Sequence, residues 1–520
     1  MKFDKNILSE AEFLKENGIK APDFDIDAMK RETEDAPVWL HIGSGNIFRA
    51  YIAKIAQELL EKGLVKSGIS ALKTRGRDLS CEVYDKHDGL TLLVTLLPDG
   101  SSKMEIIASV AENLVFGEDT ERVKKIIASP SLQMISLTIT EKGYALFDSE
   151  ALKSDIAEDI ENGPASALKN TIAIVTSLLY DRYLCGKHPL SLVSMDNCSG
   201  NGDVLKRSVL FVAEKWIEKE FIEKDFLAYI SEKVAFPCTM IDKITPAPSL
   251  SFENLEDMEM QRSKNGTACA PYVNAEAPGY LVIEDLFANG RPPMEQAGVI
   301  FTNRETVEMT ERMKVSACLN PLHTALATLG CVLGYDRIYM EMRDDSLRRL
   351  AEKIGQEGIR TAPDPGIISA EAFLAEVLHE RFPNPFIPDM PQRIASDTSQ
   401  KIPIRYGVTI SEYVRQGIEN ELSAIPFAIA GWLRYLTGMD DAMESFTPSP
   451  DPMLSSLMEK VSGMTAENCA EKVKPILADE RIFKCDLTKT ALAEKIVSYL
   501  KEMLSGKGAV RKALDRFAAE

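Results

Sequence analysis

The stretch VWLHIGSGNIFRAYIAKIAQELLEKG, residues 38–63, constrains the fold of this chain more than any other. Val38 to Ile42 reads as a short buried strand. Gly43 and Gly45 make a turn, and Ile52, Ile55, Ala56 and Leu59 follow at helical spacing. Further strand candidates are GISAL (68–72), LTLLVTL (90–96), MISLTIT (134–140) and LSLVSM (190–195), with helical runs between them such as ASALKNTIAIVTSLLYDRYL (165–184). Strands alternating with helices predict a parallel sheet with helices on its faces.

The texture changes near residue 288. FANGRPPMEQAG (287–298) is a Gly/Pro-rich junction. Beyond it, AEAFLAEVLHERF (370–382), FAIAGWLRYL (427–436) and ALAEKIVSYLKEML (491–504) carry helical periodicity, and a Pro-containing loop is expected at 445–453. At 520 residues one hydrophobic core is not enough. The reading is a polar, partly helical lead-in (1–35), an α/β domain (36–290) and an all-α domain (291–520).

The formal charge of -19 argues against a nucleic-acid binder, and any anion site must be a local basic pocket. The nine cysteines form no C-x-x-C pair, which argues against a zinc knuckle and a disulfide framework. No metal site is expected. The N-terminal segment has no apolar signal core, and no uninterrupted run of 18 apolar residues suggests a membrane span. The expected setting is the cytoplasm.

A strand, Gly43-Ser44-Gly45 and a helix let a backbone approach a pyrophosphate, with free N–H groups at the helix start. The candidate cofactor segment is Ile42, Gly43, Ser44, Gly45, Asn46, Ile47, Phe48 and Arg49. Phe48 and Arg49 stand where a third glycine is expected. The motif by itself equally describes an ordinary tight turn. After the second strand, Lys73, Arg75 and Arg77 precede any carboxylate. Arginine there favours a 2′-phosphate, so tolerance of NADP(H) beside NAD is expected, against the alternative of a solvated basic loop.

HIGSGNIFRAY, LTITEKGY (137–144), SMDNCSGNG (194–202), FPCTMIDKITP (236–246), YLVIEDLFANGRPPMEQAGV (280–299), KVSACLNPLH (314–323) and RIASDTSQKIP (393–403) occur in this order. Together they resemble the polyol-specific long-chain dehydrogenases, the mannitol dehydrogenase family, which includes fructuronate and tagaturonate reductases. The resemblance spans roughly residues 36–440. It implies a Rossmann domain, a helical domain, an active site in the cleft between them, and NAD(P)-dependent hydride transfer without a metal.

The resemblance also assigns roles. Lys314 matches the family's acid/base, Asn197 and Asn320 its carbonyl-polarising amides, and His323 a partner for a substrate hydroxyl. Asp242 matches a carboxylate that orients substrate. Arg393 and Lys401 match a substrate-binding basic pair, with Lys243 and Arg405 as further cations. Glu311, one turn before Lys314, is a candidate proton relay. A lysine suits proton transfer where desolvation makes its ammonium easier to deprotonate, and Val315, Ala317 and Leu319 are the expected source. Each residue also has a structural reading: a hydrogen-bonded core histidine, a snorkelling lysine, or a basic pair that caps helices. Their joint order favours the functional one.

One spacing departs from the family. The commoner pattern is Lys-x4-Asn-x2-His; here five residues separate Lys314 from Asn320. On a regular helix of about 100° per residue, Lys314 and His323 would stand about 180° apart, and one residue fewer would bring them to about 80°. A π-bulge would absorb the extra residue. The favoured expectation is a helix break at Asn320-Pro321, with asparagine as cap and proline at the first helical position.

The wording NPLHTALATLGCVLGY and the long lead-in look most like the fructuronate reductases, also called mannonate oxidoreductases. Reduction of D-fructuronate to D-mannonate is therefore the leading expectation. Tagaturonate reduction and a mannitol or polyol 2-dehydrogenase are the alternatives. A dinucleotide-binding protein without catalysis is the non-enzymatic one. The expected partner is a small sugar acid or polyol, and the chain is expected to be a monomer or small homo-oligomer.

Overall fold

The computed structural model describes residues 1–263, 266 and 268–520. The chain divides into two compact units, 1–97 with 101–308, and 98–100 with 309–520.

The first unit is built on six strands: β1 (Trp39–Ile42), β2 (Ile69–Lys73), β3 (Val110–Val115), β4 (Met134–Leu137), β5 (Leu190–Ser194) and β6 (Val234–Ala235). Their order across the sheet is β6-β5-β4-β1-β2-β3, and every pairing is parallel. This is the doubly wound Rossmann order, in which the direction of winding reverses between β1 and β4. β1, β4 and β5 are buried along their whole length, as a sheet covered on both faces requires. Helix Thr171–Leu184 starts where the Asn170 side chain accepts the Ile172 N–H at 2.9 Å, so the helical run read from 165 begins later than its periodicity suggests.

LTLLVTL does not join this sheet. Thr91–Leu96 pairs antiparallel with Ser102–Ile107 and parallel with Tyr272–Glu276 in a separate four-stranded sheet. The connection from 96 to 102 has no room for the dozen or more residues of a parallel crossover, and a hairpin is what remains. The lead-in is helical in part and buries Phe3, Ile7, Leu14 and Met29. The Gly/Pro-rich stretch 287–298 lies inside the first unit and leads to Ile300–Thr302, which pairs parallel with Tyr280–Glu284.

Among the described residues no strand follows Thr302, and the second unit is helical, as its periodicity predicts. At its centre the apolar helix Asn320–Leu333 packs against Ala424–Tyr435 and Asp345–Ile359. One carboxyl group intrudes there. Both oxygens of Glu341 are buried without a hydrogen-bond partner, and a Cβ added at Gly330 would lie 2.1 Å from Oε1.

Burial, reinforced by Asp344, holds the Glu341 carboxyl well above its ordinary value of 4.5. The folded chain keeps a proton there that the unfolded chain releases, so this group's contribution is complete below about pH 4.5 and declines as pH rises. Glu341→Gln keeps the shape and removes the titration. Its melting temperature should gain on the wild type by about 2–4 °C or more between pH 5 and pH 8. Thermal unfolding at both pH values checks this; an unchanged difference would contradict it.

Candidate functional site

The candidate residues fall into two sets, one in each unit. In the first unit they gather at the C-terminal ends of the strands, around the switch point between β1 and β4. Gly43 follows β1 directly, with φ of 112°, and a Cβ on it would stand 2.4 Å from the carbonyl oxygen of Thr138, which follows β4. Only glycine fits that close, left-handed position. Gly45 is exposed, and the place of its absent Cβ opens on free space. The chain then enters a π turn, Phe48–Ile52, before helix Ala53–Glu61.

Phe48 is buried and stacks on His41 at 4.2 Å between ring centres. His41 meets Ser136 Oγ at 2.6 Å and Thr138 Oγ1 at 2.9 Å. Burial pushes its imidazole down to about 3, so it is a neutral structural residue. Arg49 is also buried; its guanidinium donates to Ala270 O at 2.8 Å and Asn46 Oδ1 at 3.0 Å, bracing the turn from within. Ile42 and Ile47 pack beneath the turn, which leaves Gly43 to Asn46 as its outer surface.

Asp196 organises the neighbouring edge. Its carboxylate accepts the N–H groups of Ile139 at 2.8 Å and Thr140 at 3.0 Å, and the Tyr144 hydroxyl at 2.7 Å. Burial raises its carboxyl in spite of these donors. Thr140 has a φ of 66°, costly for a β-branched residue, and the two N–H bonds to Asp196 hold it there. Asn201 donates to Asp196 O at 3.0 Å and Thr239 Oγ1 at 2.8 Å, fixing the other end of the same turn. Between them Asn197 is exposed, with no side-chain hydrogen bond among the described residues. Asp242 ends strand Thr239–Asp242 and is buried, so it is no surface partner of Lys243. Lys243 instead donates to Glu276 O at 2.6 Å and Pro278 O at 3.0 Å.

The basic loop after β2 is mostly spoken for. Lys73 pairs with Asp78 and donates to Ser80 Oγ at 2.6 Å. Arg77 pairs with Asp85 at 2.6 Å and Glu118 at 3.2 Å. Arg75 is exposed and, among the described residues, has no ion-pair partner.

In the second unit, Lys314 is 4% exposed and opens a π turn, Lys314–Cys318, in which Leu319 donates to Lys314 O at 3.2 Å. The expected break at Asn320-Pro321 falls one residue earlier, at Leu319, and is joined to this π turn. Asn320 is already helical, no side chain caps it, and the irregular residue is Leu319, with φ of -124° and ψ of -64°. Pro321 has no N–H to return to the preceding turn and crowds the carbonyl there. Widening the turn before it eases the conflict, and the regular helix resumes at Asn320.

His323 Nε2 lies 3.3 Å from Asp389 Oδ2, close but off the line of an aligned hydrogen bond, and its ring stacks on Phe382 at 4.5 Å. Burial lowers its imidazole; Asp389 opposes this, and Arg405 and Arg381 add to it. Asp389 Oδ1 also holds Arg393 at 2.5 Å. Two candidates far apart in sequence are thus joined through a carboxylate that neither motif contains. Lys401 goes elsewhere, donating to Ile394 O at 3.0 Å and Ser396 O at 2.5 Å at the end of the preceding helix. Arg405 donates to Thr324 Oγ1 at 2.7 Å and lies 3.4 Å from Asn320 O, so it braces the helix that carries Asn320. Glu311, one turn before Lys314, is half-buried.

Residues 38–296 match the mannitol dehydrogenase Rossmann domain, and residues 306–504 the mannitol dehydrogenase C-terminal domain. A D-mannonate oxidoreductase of Thermotoga maritima is 44% identical over 99% of this chain and 98% of its own length. The chain belongs to the mannitol dehydrogenase family. As a member it is an oxidoreductase acting on CH–OH groups. A D-mannonate oxidoreductase of Escherichia coli is 31% identical over 90% of this chain and 93% of its own. The crystal structure of a substrate-free D-sorbitol dehydrogenase superposes with a TM-score of 0.79 at 26% identity, covering 99% of this chain and all of that one.

Within this family frame, Asp196, Asn201 and Asp389 are the residues that sequence reading passed over. Asp196 and Asn201 lie inside the quoted SMDNCSGNG motif, and Asp389 stands one helical turn before Arg393. On Asp389, burial alone would raise the carboxyl; His323 and Arg393 outweigh it and hold it below 3.8. Its stabilising contribution is therefore present above that pH and is lost as pH falls through the folded-state value. Asp389→Asn should cost about 1–3 kcal/mol near pH 7, with a smaller cost as pH drops below about 3.8. Denaturant unfolding across that range measures it, and a pH-independent difference would count against the assignment.

Proposed function

We propose that this protein reduces a ketohexuronate, D-fructuronate to D-mannonate, with Lys314 as proton donor and a nicotinamide dinucleotide as cofactor. The observation that carries this reading is the full-length likeness to a protein named D-mannonate oxidoreductase. The local arrangement supports it. The turn at Gly43 fits a dinucleotide, because glycine lets the chain pass the Thr138 carbonyl at the end of the sheet and Gly45 keeps the outer side of the turn open.

Gly43 to Asn46 hold the pyrophosphate, and Arg75 stands nearest to reading the adenosine ribose. Bound there, the dinucleotide supplies the hydride. Asn197 and Asn320 donate to the substrate carbonyl and stabilise the negative charge that grows on its oxygen. Lys314 delivers the proton that turns this oxygen into a hydroxyl. Its position inside an apolar turn keeps water from competing for that proton. His323, oriented by Asp389 and Phe382, hydrogen-bonds a neighbouring substrate hydroxyl, and Asp242 orients the sugar chain. Arg393, whose side chain is 66% exposed while one edge holds Asp389, takes the substrate carboxylate.

Lys314→Ala should lower turnover by about 10²-fold or more, while NADH still binds in a fluorescence titration; undiminished activity would refute the mechanism. A panel of fructuronate, tagaturonate, fructose and fructose 6-phosphate, followed by dinucleotide absorbance, tests the substrate. Turnover of fructuronate above the others is expected, and no turnover of either uronate would remove the reading.

The cofactor proposal narrows to one residue. With Lys73 and Arg77 paired to carboxylates, Arg75 is the cation left to meet a 2′-phosphate, and we propose that NADP(H) is used beside NAD(H). Arg75→Ala should raise KM for NADPH by about tenfold or more with little change for NADH. Equal effects on both cofactors, or a wild type inert with NADPH, would overturn it.

A further inference from the structure

His323 and Arg393 compete for one carboxylate, and at present Arg393 holds it. Asp389 Oδ1 lies 2.5 Å from Arg393 Nη2, while Oδ2 stands 3.3 Å from His323 Nε2 without an aligned hydrogen bond. Asp389 is fixed by its backbone: its carbonyl accepts the Ile338 N–H at 3.0 Å, and its own N–H donates to Ile387 O at 2.8 Å. Its side chain is only 14% exposed. The two partners differ in kind. Most of the Arg393 side chain is in solvent, and among the described residues Asp389 is the only partner of its guanidinium. His323 Nε2 is buried and unmet, a state that costs free energy until a polar group satisfies it.

The pair that now exists is the weaker of the two that could form. An ion pair with one member in solvent is screened and parts easily, and the remaining N–H groups of a guanidinium take a second carboxylate in a bidentate grip. A carboxylate released from Arg393 has a buried ring nitrogen beside it, where a hydrogen bond gains from the low local dielectric. The other charged groups that act on the ring are Arg405 and Arg381, and both disfavour an imidazolium. The ring therefore responds by choosing a tautomer at constant charge. With Asp389 accepting from Nε2–H, Nδ1 keeps its lone pair. Nδ1 has no hydrogen-bond partner among the described residues and is not sealed off, so it is the ring atom left to accept a substrate hydroxyl.

We infer that Asp389 makes this site selective for acids: a substrate carboxylate draws Arg393 away, and the released Asp389 takes the His323 Nε2–H and sets the ring for the substrate hydroxyl. A neutral ketose or polyol leaves Arg393 on Asp389 and the ring unset. Asp389 is thus a positioning residue that couples the charge of the substrate to the tautomer of His323. The trigger rests on the uronate chemistry proposed above; the shared carboxylate does not, and all its parts lie in the second unit.

Nitrogen NMR of the full chain carrying isotope-labelled histidine reads which ring nitrogen of His323 holds the proton, at a pH of about 8 where the imidazole is neutral. His323→Gln assigns the signals. NADH is present throughout, so that neither D-mannonate nor D-mannitol is turned over. Saturating D-mannonate should raise the ratio of Nε2–H to Nδ1–H by about tenfold or more, and D-mannitol should leave it unchanged. Arg393→Ala should give the same rise with no ligand. Adding Asp389→Asn, whose single acceptor oxygen carries no charge for Arg393 to contest, should abolish that rise. In steady-state kinetics Asp389→Asn should lower kcat for fructuronate by about tenfold with a smaller change in KM, whereas Arg393→Ala should raise KM. An unchanged ring in Arg393→Ala, or an equal rise with D-mannitol, would overturn the inference. A rise in Arg393→Ala with no response to D-mannonate and no turnover of fructuronate would instead uphold the shared carboxylate and overturn the uronate trigger. Should Asp389→Asn fail to fold, Arg393→Ala and the comparison of the two ligands decide.

Discussion

A carbon atom added at Gly43 would collide with the carbonyl of Thr138, and much of the first unit follows from that exclusion. β1 and β4 are neighbours at the reversal of the sheet, so the chain ends that leave them must pass each other at backbone distance. Glycine on one side permits it. On the other side the chain is forced into a conformation that threonine resists, and the Asp196 carboxylate holds it there through two N–H groups. The same carboxylate fixes the turn that presents Asn197. One steric exclusion thus aligns the glycine turn and Asn197 on a single edge of the sheet.

The second unit solves a different problem, which is how to keep polar groups inside apolar helices. Its answers differ in kind. His323 is stacked on a ring and faced by a carboxylate. Arg405 spends its guanidinium on the first turn of the helix that it touches. Lys401 is spent on carbonyls at a helix end. Glu341 has no such answer and keeps its proton instead. Burial selects neutral or paired forms in each case, and the ordered arrangement of cations around Asn320 and His323 follows from that selection.

Much of this was legible in the chain. Strand and helix periods mark the Rossmann unit and the helical half, because both rest on local patterns of burial. The motifs place Gly43 and Asn197 in turns that follow strands, and Lys314, Asn320 and His323 in one buried helical stretch. Three things were not legible, for physical reasons. The strand Thr91–Leu96 has the apolar content of a central strand, and its partner is decided by the length of a turn. Asp389 joins His323 to Arg393 across more than sixty residues of sequence, a proximity that no local pattern encodes. The charges of Lys73, Arg75 and Arg77 look alike in the sequence, and only their partners separate them.

The π turn at Lys314 has a consequence for how such chains are compared with one another. Insertions are ordinarily assigned to loops, where an extra residue leaves the core untouched. Here the wide turn lies within a buried helical stretch, at Lys314–Cys318, and such a turn accommodates one residue more than a regular helical turn. A comparison that forbids gaps within helices would slide the lysine past its counterpart and pair it with a neighbour. Placing the gap within Lys314–Cys318 keeps the helix before it and the helix after it each in register, so the correct alignment of two members differing by this residue is dictated by backbone hydrogen bonding and not by side-chain similarity.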